Sequence, residues 1–363
     1  MAKLLILNDT DKKKDIIFVI CRFFSNFVHI MTNEYIKTWP DLMVGKKILY
    51  VHGFGSSGQS GTVTLLRTLL PSVTVIAPDL PIHPDEALAL LHSLCDEEQP
   101  DLIIGSSMGG MFTEQLTGYD RILVNPAFNM GDTMSSHGMV GKLTFQNPRR
   151  DGIQEMVITK AIVKEYKSLP LPLPRRGDKS VWGLFGDKDP VVHTYDLFKD
   201  AYTLPLGEGR GGALIFHGEH RLIDKVVHHA LIPVIRWIDD RQEGRQREII
   251  FIDFECLHDS YMNATSSMLK AIEALLDKYD LHFVAKAPSN DPQYYNKVRD
   301  WLQEYVTVPA YDHLTFTNRP DLLYGDFYIS PTPPEGTMAT AIEYGSDTFK
   351  TWEEIITYFS RLS

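Results

Sequence analysis

Five residues, Gly105-Ser106-Ser107-Met108-Gly109, place a serine between two glycines in the pattern G-x-S-x-G. The apolar run Asp101 to Gly105 (DLIIG) leads into them, and a helical pattern from Met108 to Leu116 follows. On a strand–turn–helix such a serine stands on a tight elbow, its hydroxyl pushed clear of the sheet, where it can act as a nucleophile. A serine hydroxyl needs a base, a carboxylate to orient that base, and donors for the oxyanion it creates. Candidates for each follow in the chain order Ser, acid, His. The turn Gly186-Asp187-Lys188-Asp189-Pro190-Val191-Val192 comes just after the apolar run VWGLF and offers Asp189, with Asp187 in reserve. The next apolar run is followed by Phe216-His217-Gly218-Glu219-His220, which offers His220 first and His217 second. Val51-His52-Gly53-Phe54-Gly55 follows the first strong strand. Its Phe54 amide, with that of Met108, would form the oxyanion donors, and His52, Gly53, Gly105 and Gly109 would support the loops.

Each feature also has a structural reading. Ser107 can be a small residue for helix–strand packing, His52 a core histidine, and GDKDP an Asx turn. Four such features, each after a predicted strand and in one order, favour catalysis.

The elements that must carry them are short buried strands alternating with helices. Lys47–His52, Val73–Ala77, Asp101–Gly105, Arg121–Val124, Ser180–Phe185 and Ala213–Phe216 read as strands; Glu86–Cys95, Met108–Leu116 and Val226–Ile238 read as helices. The pattern predicts an α/β domain over residues 46–239, with a mostly parallel sheet and helices on both faces. The rhythm fails between about Met130 and Arg176, which reads as an insertion, a lid or a surface excursion. There Ile153–Tyr166 predicts one amphipathic helix and Leu169–Pro174 (LPLPLP) a stiff connector. Asp239–Glu248 (DDRQEGRQRE) lacks apolar anchors, so a solvated, flexible boundary is expected, with 240–248 as the linker. A second cycle then begins: strand Ile249–Ile252, helix Ser266–Tyr279, strand Leu281–Ala285, helix Gln293–Tyr305, strand Leu314–Phe316. This predicts a smaller, Rossmann-like α/β domain over 249–363.

Residues 46–239 resemble an α/β-hydrolase, and more narrowly the small bacterial esterases of the YqiA/YcfP type. The resemblance rests on Val51-His52-Gly53-Phe54, Ser56-Ser57, Ile104 to Gly110, Val124-Asn125-Pro126-Ala127, the turn ending at Asp189, and His220. It implies a serine esterase or thioesterase acting on a small-molecule acyl ester or thioester, with Ser107, His220 and Asp189 as its triad and no cofactor or metal.

Ile250-Phe251-Ile252-Asp253-Phe254-Glu255 resembles the D-x-D opening of haloacid-dehalogenase (HAD)-type phosphatases. The stretches Ala287-Pro288-Ser289-Asn290, Asp300-Trp301, Leu322 to Asp326 and Phe349-Lys350-Thr351-Trp352 resemble the deoxyribonucleotidase branch. The resemblance implies a site at Asp253, Glu255 and Asp326. It departs where chemistry is done: Glu255 replaces the second Asp, Lys286 a Ser or Thr, and Ser330-Pro331 stands where paired Mg²⁺ aspartates are expected. The expectation is a degenerate domain that docks a protein partner. The alternatives are a Mg²⁺-dependent nucleotidase or phosphatase, or a protein without catalysis.

Composition agrees with a globular protein: 363 residues, 44% hydrophobic, 23% charged. Of its net charge of -11, nine units fall from Arg247 onward, where 9 basic face 18 acidic residues. That surface repels a phosphate backbone, so nucleic acid is not an expected partner. Cys21, Cys95 and Cys256 are too few and too scattered for a disulfide framework, which points to the cytoplasm. Residues 1–45 read as an N-terminal extension. Ile16–Phe24 is apolar but shorter than a membrane span and lacks a small-residue cleavage site, so no stable insertion is expected, and Met31 is a candidate native start.

Overall fold

The computed structural model describes residues 37–169, 179–202, 211–288, 290–306 and 313–362. The apolar run at 16–24, the Met31 start, Cys21 and nearly all of the LPLPLP connector lie outside them. Residues 40–363 form one compact unit that carries two parallel sheets.

The first sheet grows from β1 (Lys47–Val51), α1 (Gly61–Leu69), β2 (Thr74–Ile76), α2 (Pro84–Glu98), β3 (Leu102–Ser106), α3 (Met108–Gln115) and β4 (Arg121–Val124). After an insertion come β7 (Val181–Gly186), α6 (Tyr195–Ala201) and β8 (Gly211–Phe216). The strand order is β2-β1-β3-β4-β7-β8, all parallel. Buried on both faces, β1, β3 and β4 are continuous apolar runs, as a parallel sheet with helices on each side requires. The chain moves outward from β1 to β2 and then back across to β3. That reversal leaves a crevice at the carboxyl ends of β1 and β3, the place where open α/β sheets bind ligands.

The insertion holds α4 (Met130–Ser136), an antiparallel hairpin of β5 (Gly141–Thr144) and β6 (Glu155–Ile158), and α5 (Lys160–Lys167). The single helix expected over 153–166 is therefore wrong. In β6 burial alternates, with Met156 and Ile158 inside and Glu155 and Val157 outside, a period of two that a helix cannot satisfy. Thr159 then starts a new helix, its side chain accepting a hydrogen bond from the Ile162 amide at 3.2 Å. The insertion is not a loose excursion: Met130, Met134, Phe145, Met156, Ile158, Ile162 and Tyr166 join the main core.

The expected flexible boundary is also corrected. A π turn (Val227–Leu231) leads into α7 (Ile232–Glu243), which runs through the DDRQE stretch. Asp239 is fully buried; its carboxylate takes Lys46 and Arg245, each at 2.7 Å. Burial pushes that carboxyl up, but these two cations hold it below the ordinary carboxylate range. Charge, rather than an apolar face, pins the end of this helix.

The second sheet has β9 (Ile249–Asp253), α8 (Ser266–Leu276), β10 (Asp280–Ala285), α9 (Pro292–Tyr305), β11 (Leu314–Phe316), β12 (Phe327–Ser330), β13 (Thr340–Glu343) and α10 (Trp352–Leu362). Its order is β11-β10-β9-β12-β13, again all parallel. Ile250, Ile252, Leu281, Phe283 and Ile329 share a core with side chains of α8, α9 and α10. The two lobes touch through polar contacts: the Arg236 guanidinium donates to the Leu276 carbonyl at 2.6 Å, and the Gln303 amide to the Ile215 carbonyl at 3.1 Å. Among the described residues, no helix is long and apolar enough to cross a membrane.

Removing the carboxylate in Asp239→Ala takes away the buried anion that Lys46 and Arg245 share and leaves Lys46 its Glu243 partner at 2.6 Å. We expect a loss of about 1–3 kcal/mol, seen as a lower thermal midpoint by calorimetry. Because the folded-state pKa is depressed, the carboxylate stabilises above its unfolded value, and the gap between wild type and variant narrows as pH falls below about 4.

Candidate active site

Ser107 sits between β3 and α3 with φ 57° and ψ -120°, a conformation that L-residues rarely adopt. Three backbone bonds hold it there. Its amide donates to the Val124 carbonyl at 2.9 Å, and its carbonyl accepts from the Met111 and Ala127 amides at 3.1 and 3.0 Å. The turn also needs room. A Cβ on Gly109 would lie 2.0 Å from the Val51 carbonyl oxygen, so only glycine lets α3 approach β1.

The Ser107 hydroxyl lies 2.9 Å from His220 Nε2, and His220 Nδ1 lies 2.7 Å from Asp189 Oδ2. With Nδ1 donating to the carboxylate, Nε2 is the acceptor for the serine proton. The Asp189 side chain is almost wholly buried, whereas that of His220 stays about one-fifth exposed. Its other oxygen accepts from the amides of Val191 and Val192 at 2.7 and 3.1 Å. Burial pushes the Asp189 carboxyl up, yet His220 and these amides hold it below the usual carboxylate range.

The reserve residues are paired with each other instead. Asp187 Oδ2 is 2.7 Å from His217 Nδ1, and His217 Nε2 is 3.0 Å from Lys188 Nζ. Between the two pairs the strands come close enough that a Cβ on Gly186 would lie 2.6 Å from the carbonyl oxygens of Gly218 and Glu219.

On the oxyanion side, Gly53 packs against the elbow, where a Cβ would lie 3.2 Å from that of Ser107. The amides of Phe54 and Met108 donate to no protein acceptor among the described residues. His52 faces away. Buried, it donates from Nδ1 to the Gly53 carbonyl at 2.9 Å and accepts from the Leu80 amide at Nε2 at 3.1 Å. Burial pushes this imidazole below its ordinary pKa, which suits a neutral strut.

Four further supports hold the site together. Asn125 (φ 43°) donates from Nδ2 to the carbonyls of Glu219 and His220, and its Oδ1 accepts from the Gly186 amide at 2.8 Å. It thereby joins the strand ends that bear acid and base; its signal was the Asn-Pro step after β4. Arg149 donates to the Leu80 carbonyl at 3.1 Å, and Tyr166 donates to Met108 Sδ at 3.3 Å, so the insertion braces the elbow and oxyanion loop. The Gln146 amide donates to the Gly55 carbonyl at 2.7 Å.

In the second lobe, Asp253 ends β9 and accepts from the Ser330 hydroxyl at 3.1 Å; burial raises its pKa. Glu255 pairs at 3.0 Å with Lys286. Asp326 does not join them, which corrects the expected grouping. It precedes β12 and accepts from the Ile249 amide at 2.7 Å, at the amino ends of the strands, whereas Asp253 is at the carboxyl end. A five-residue strand separates the two by about 13 Å.

Residues 47–200 match the uncharacterised protein family UPF0227. A Vibrio phage KVP40 protein with the printed name "Putative 5'(3')-deoxyribonucleotidase" is 25% identical over 127 residues, 34% of this chain and 71% of its own. Both resemblances read from the sequence thus have a counterpart. Among solved structures, a monoacylglycerol lipase from Paleococcus ferrophilus is similar with 15% identity and a TM-score of 0.38, over 53% of this chain and 94% of its own. Est1E from Butyrivibrio proteoclasticus, crystallised with ferulic acid, gives 15% identity and 0.40 over 58% and 92%; mouse α/β-hydrolase domain-containing protein 10 gives 16% and 0.39 over 55% and 90%. The first lobe is an α/β fold built on a six-stranded parallel sheet.

Gly109→Ala forces a methyl group onto the β1 backbone, and we expect a loss of about 1–3 kcal/mol or more with displacement of the elbow. Gly61→Ala, where a Cβ meets nothing within 4 Å, is the control. Thermal unfolding of the two variants side by side checks the contrast.

Proposed function

We propose that this chain is a serine hydrolase that cleaves carboxylic esters or thioesters by two-step acyl transfer. The reading rests above all on the unbroken line from Ser107 Oγ through the His220 ring to Asp189, at 2.9 and 2.7 Å. His220 Nε2 takes the hydroxyl proton as Ser107 Oγ bonds to the acyl carbon. The Phe54 and Met108 amides donate to the carbonyl oxygen as it gains charge. When the tetrahedral species collapses, the bond to the leaving alcohol or thiol breaks, and His220 returns the proton to that group. Water then attacks the acyl-serine with the same base, releasing the acid and restoring Ser107. Asp189 stays ionised throughout, holding the imidazole in one tautomer and offsetting its transient charge.

The acyl side of the substrate faces the insertion. Phe54, Met139 and Leu143 are half-buried against the core cluster that includes Met108 and Met156, an apolar surface suited to hydrocarbon. The substrate class is accordingly a small-molecule acyl ester or thioester, and the reaction draws on no group beyond the chain and water. Buried free thiols at Cys95 and Cys256 are in keeping with a reducing, cytoplasmic setting.

In Ser107→Ala, turnover of p-nitrophenyl acetate falls by ~10³-fold or more while the circular dichroism spectrum is kept. Undiminished turnover in that variant overturns the assignment.

A further inference from the structure

The register of the second sheet gathers three metal-ligating side chains that nothing in their sequence spacing marks. Asp280 and His282 lie two apart on β10 and so point to one face of the sheet. β10 and β11 run parallel with Phe283 opposite Leu314, which puts His313, the residue before β11, beside His282 on that face. Both rings turn Nε2 toward the same carboxylate: His282 Nε2 is 3.2 Å from Asp280 Oδ2, and His313 Nε2 is 3.2 Å from Asp280 Oδ1. One ligand atom from each residue fits within 4.8 Å of the others. Among the described residues no other set of three such donors converges this tightly.

We propose that Asp280, His282 and His313 bind a divalent first-row transition-metal ion of the zinc class. The geometry suits a cation, because two imidazole nitrogens already turn to one carboxylate without closing on it tightly. The imidazole–carboxylate pairs His220–Asp189 and His217–Asp187 close to 2.7 Å, as a charge-assisted hydrogen bond should. At Asp280 both separations stay at 3.2 Å. An ion held through one oxygen would draw the three donor atoms, now within 4.8 Å of one another, to the about 3.3–3.4 Å spacing of a tetrahedron with metal–ligand bonds of 2.0–2.1 Å. Two imidazoles and one carboxylate are the donor set for zinc, cobalt or nickel rather than magnesium or calcium. The side chains are 37%, 27% and 20% exposed, so an ion can enter and a water can complete its shell.

The site lies against the first lobe. The His313 ring stacks on Trp237 of α7 at 4.8 Å and 27°, and Trp237 packs on Trp182 at 5.2 Å. Fixing His313 on an ion therefore fixes the surface on which α7 rests, so the ion acts as a clasp between the lobes, independent of Ser107.

The test uses the full chain, stripped with chelator and titrated with Zn²⁺ against a chromophoric competitor, with Mg²⁺ as the control cation. We expect one Zn²⁺ per chain, no response to Mg²⁺, and a higher thermal midpoint with Zn²⁺. Kd rises by roughly 100-fold or more in His282→Ala and in His313→Ala, at or above the top of the 10–100-fold range for losing a ligand's hydrogen-bond partner. Co²⁺ quenches tryptophan emission in the wild type, and this falls in Trp237→Phe although Co²⁺ still binds. Failure of the wild-type chain to bind Zn²⁺ overturns the proposal, as does unchanged affinity in the double variant His282→Ala/His313→Ala. The wild-type titration decides even if a variant fails to fold.

Discussion

A serine held at positive φ is the constraint on which the first lobe depends. The conformation at Ser107 is unfavourable in isolation and persists because β4, the loop after it at Ala127, and α3 each take one of its backbone hydrogen bonds. Its neighbours must be small, since the carbonyls of β1 lie where a side chain on Gly109 would go. In return the hydroxyl stands clear of the sheet, at the crevice opened by the reversal of strand order, and the first turn of α3 leaves the Met108 amide without a protein acceptor among the described residues.

The other groups of the proposed triad are brought to that hydroxyl by strand ends. Asp189 follows β7 and His220 follows β8, and Asn125, at the end of β4, ties the two loops through three hydrogen bonds. The insertion between β4 and β7 closes the arrangement from above, linked to the oxyanion loop through Gln146 and Arg149 and to the elbow through Tyr166. Glu304 of α9 lies 3.6 Å from His217, whose partner Asp187 is two residues from Asp189. The second lobe thus reaches the turn that carries the acid without entering the site.

Much of this was legible in the sequence, for a physical reason. Buried parallel strands are unbroken apolar runs, so their ends, and the polar residues just beyond them, stand out. Choosing between Asp187 and Asp189, or His217 and His220, was harder, because each histidine has an acid 30 or 31 residues before it; in the structure both pairs form at 2.7 Å, and only one reaches Ser107. Over residues 153–166, Ile, Met, Val and Tyr fit either period over so short a span, and the Thr159 cap between strand and helix is a single residue. The DDRQE helix was invisible to hydropathy since its anchors are ion pairs with Lys46 and Arg245, one of them almost two hundred residues away. Asp326 lies at the other end of the strands from Asp253, because a motif fixes sequence order but not which end of a strand a side chain occupies. The Asp280–His282–His313 cluster depends on the register between two strands, which no local pattern encodes.

The most direct measurement of the central claim is the rate and site of labelling by a fluorophosphonate, read by peptide mapping in wild type and in His220→Ala. If His220 activates the elbow serine, the wild-type adduct maps to Ser107, and its rate of formation falls by ~10³-fold or more without the imidazole. An adduct on another residue, or equal labelling rates in the two proteins, would contradict it.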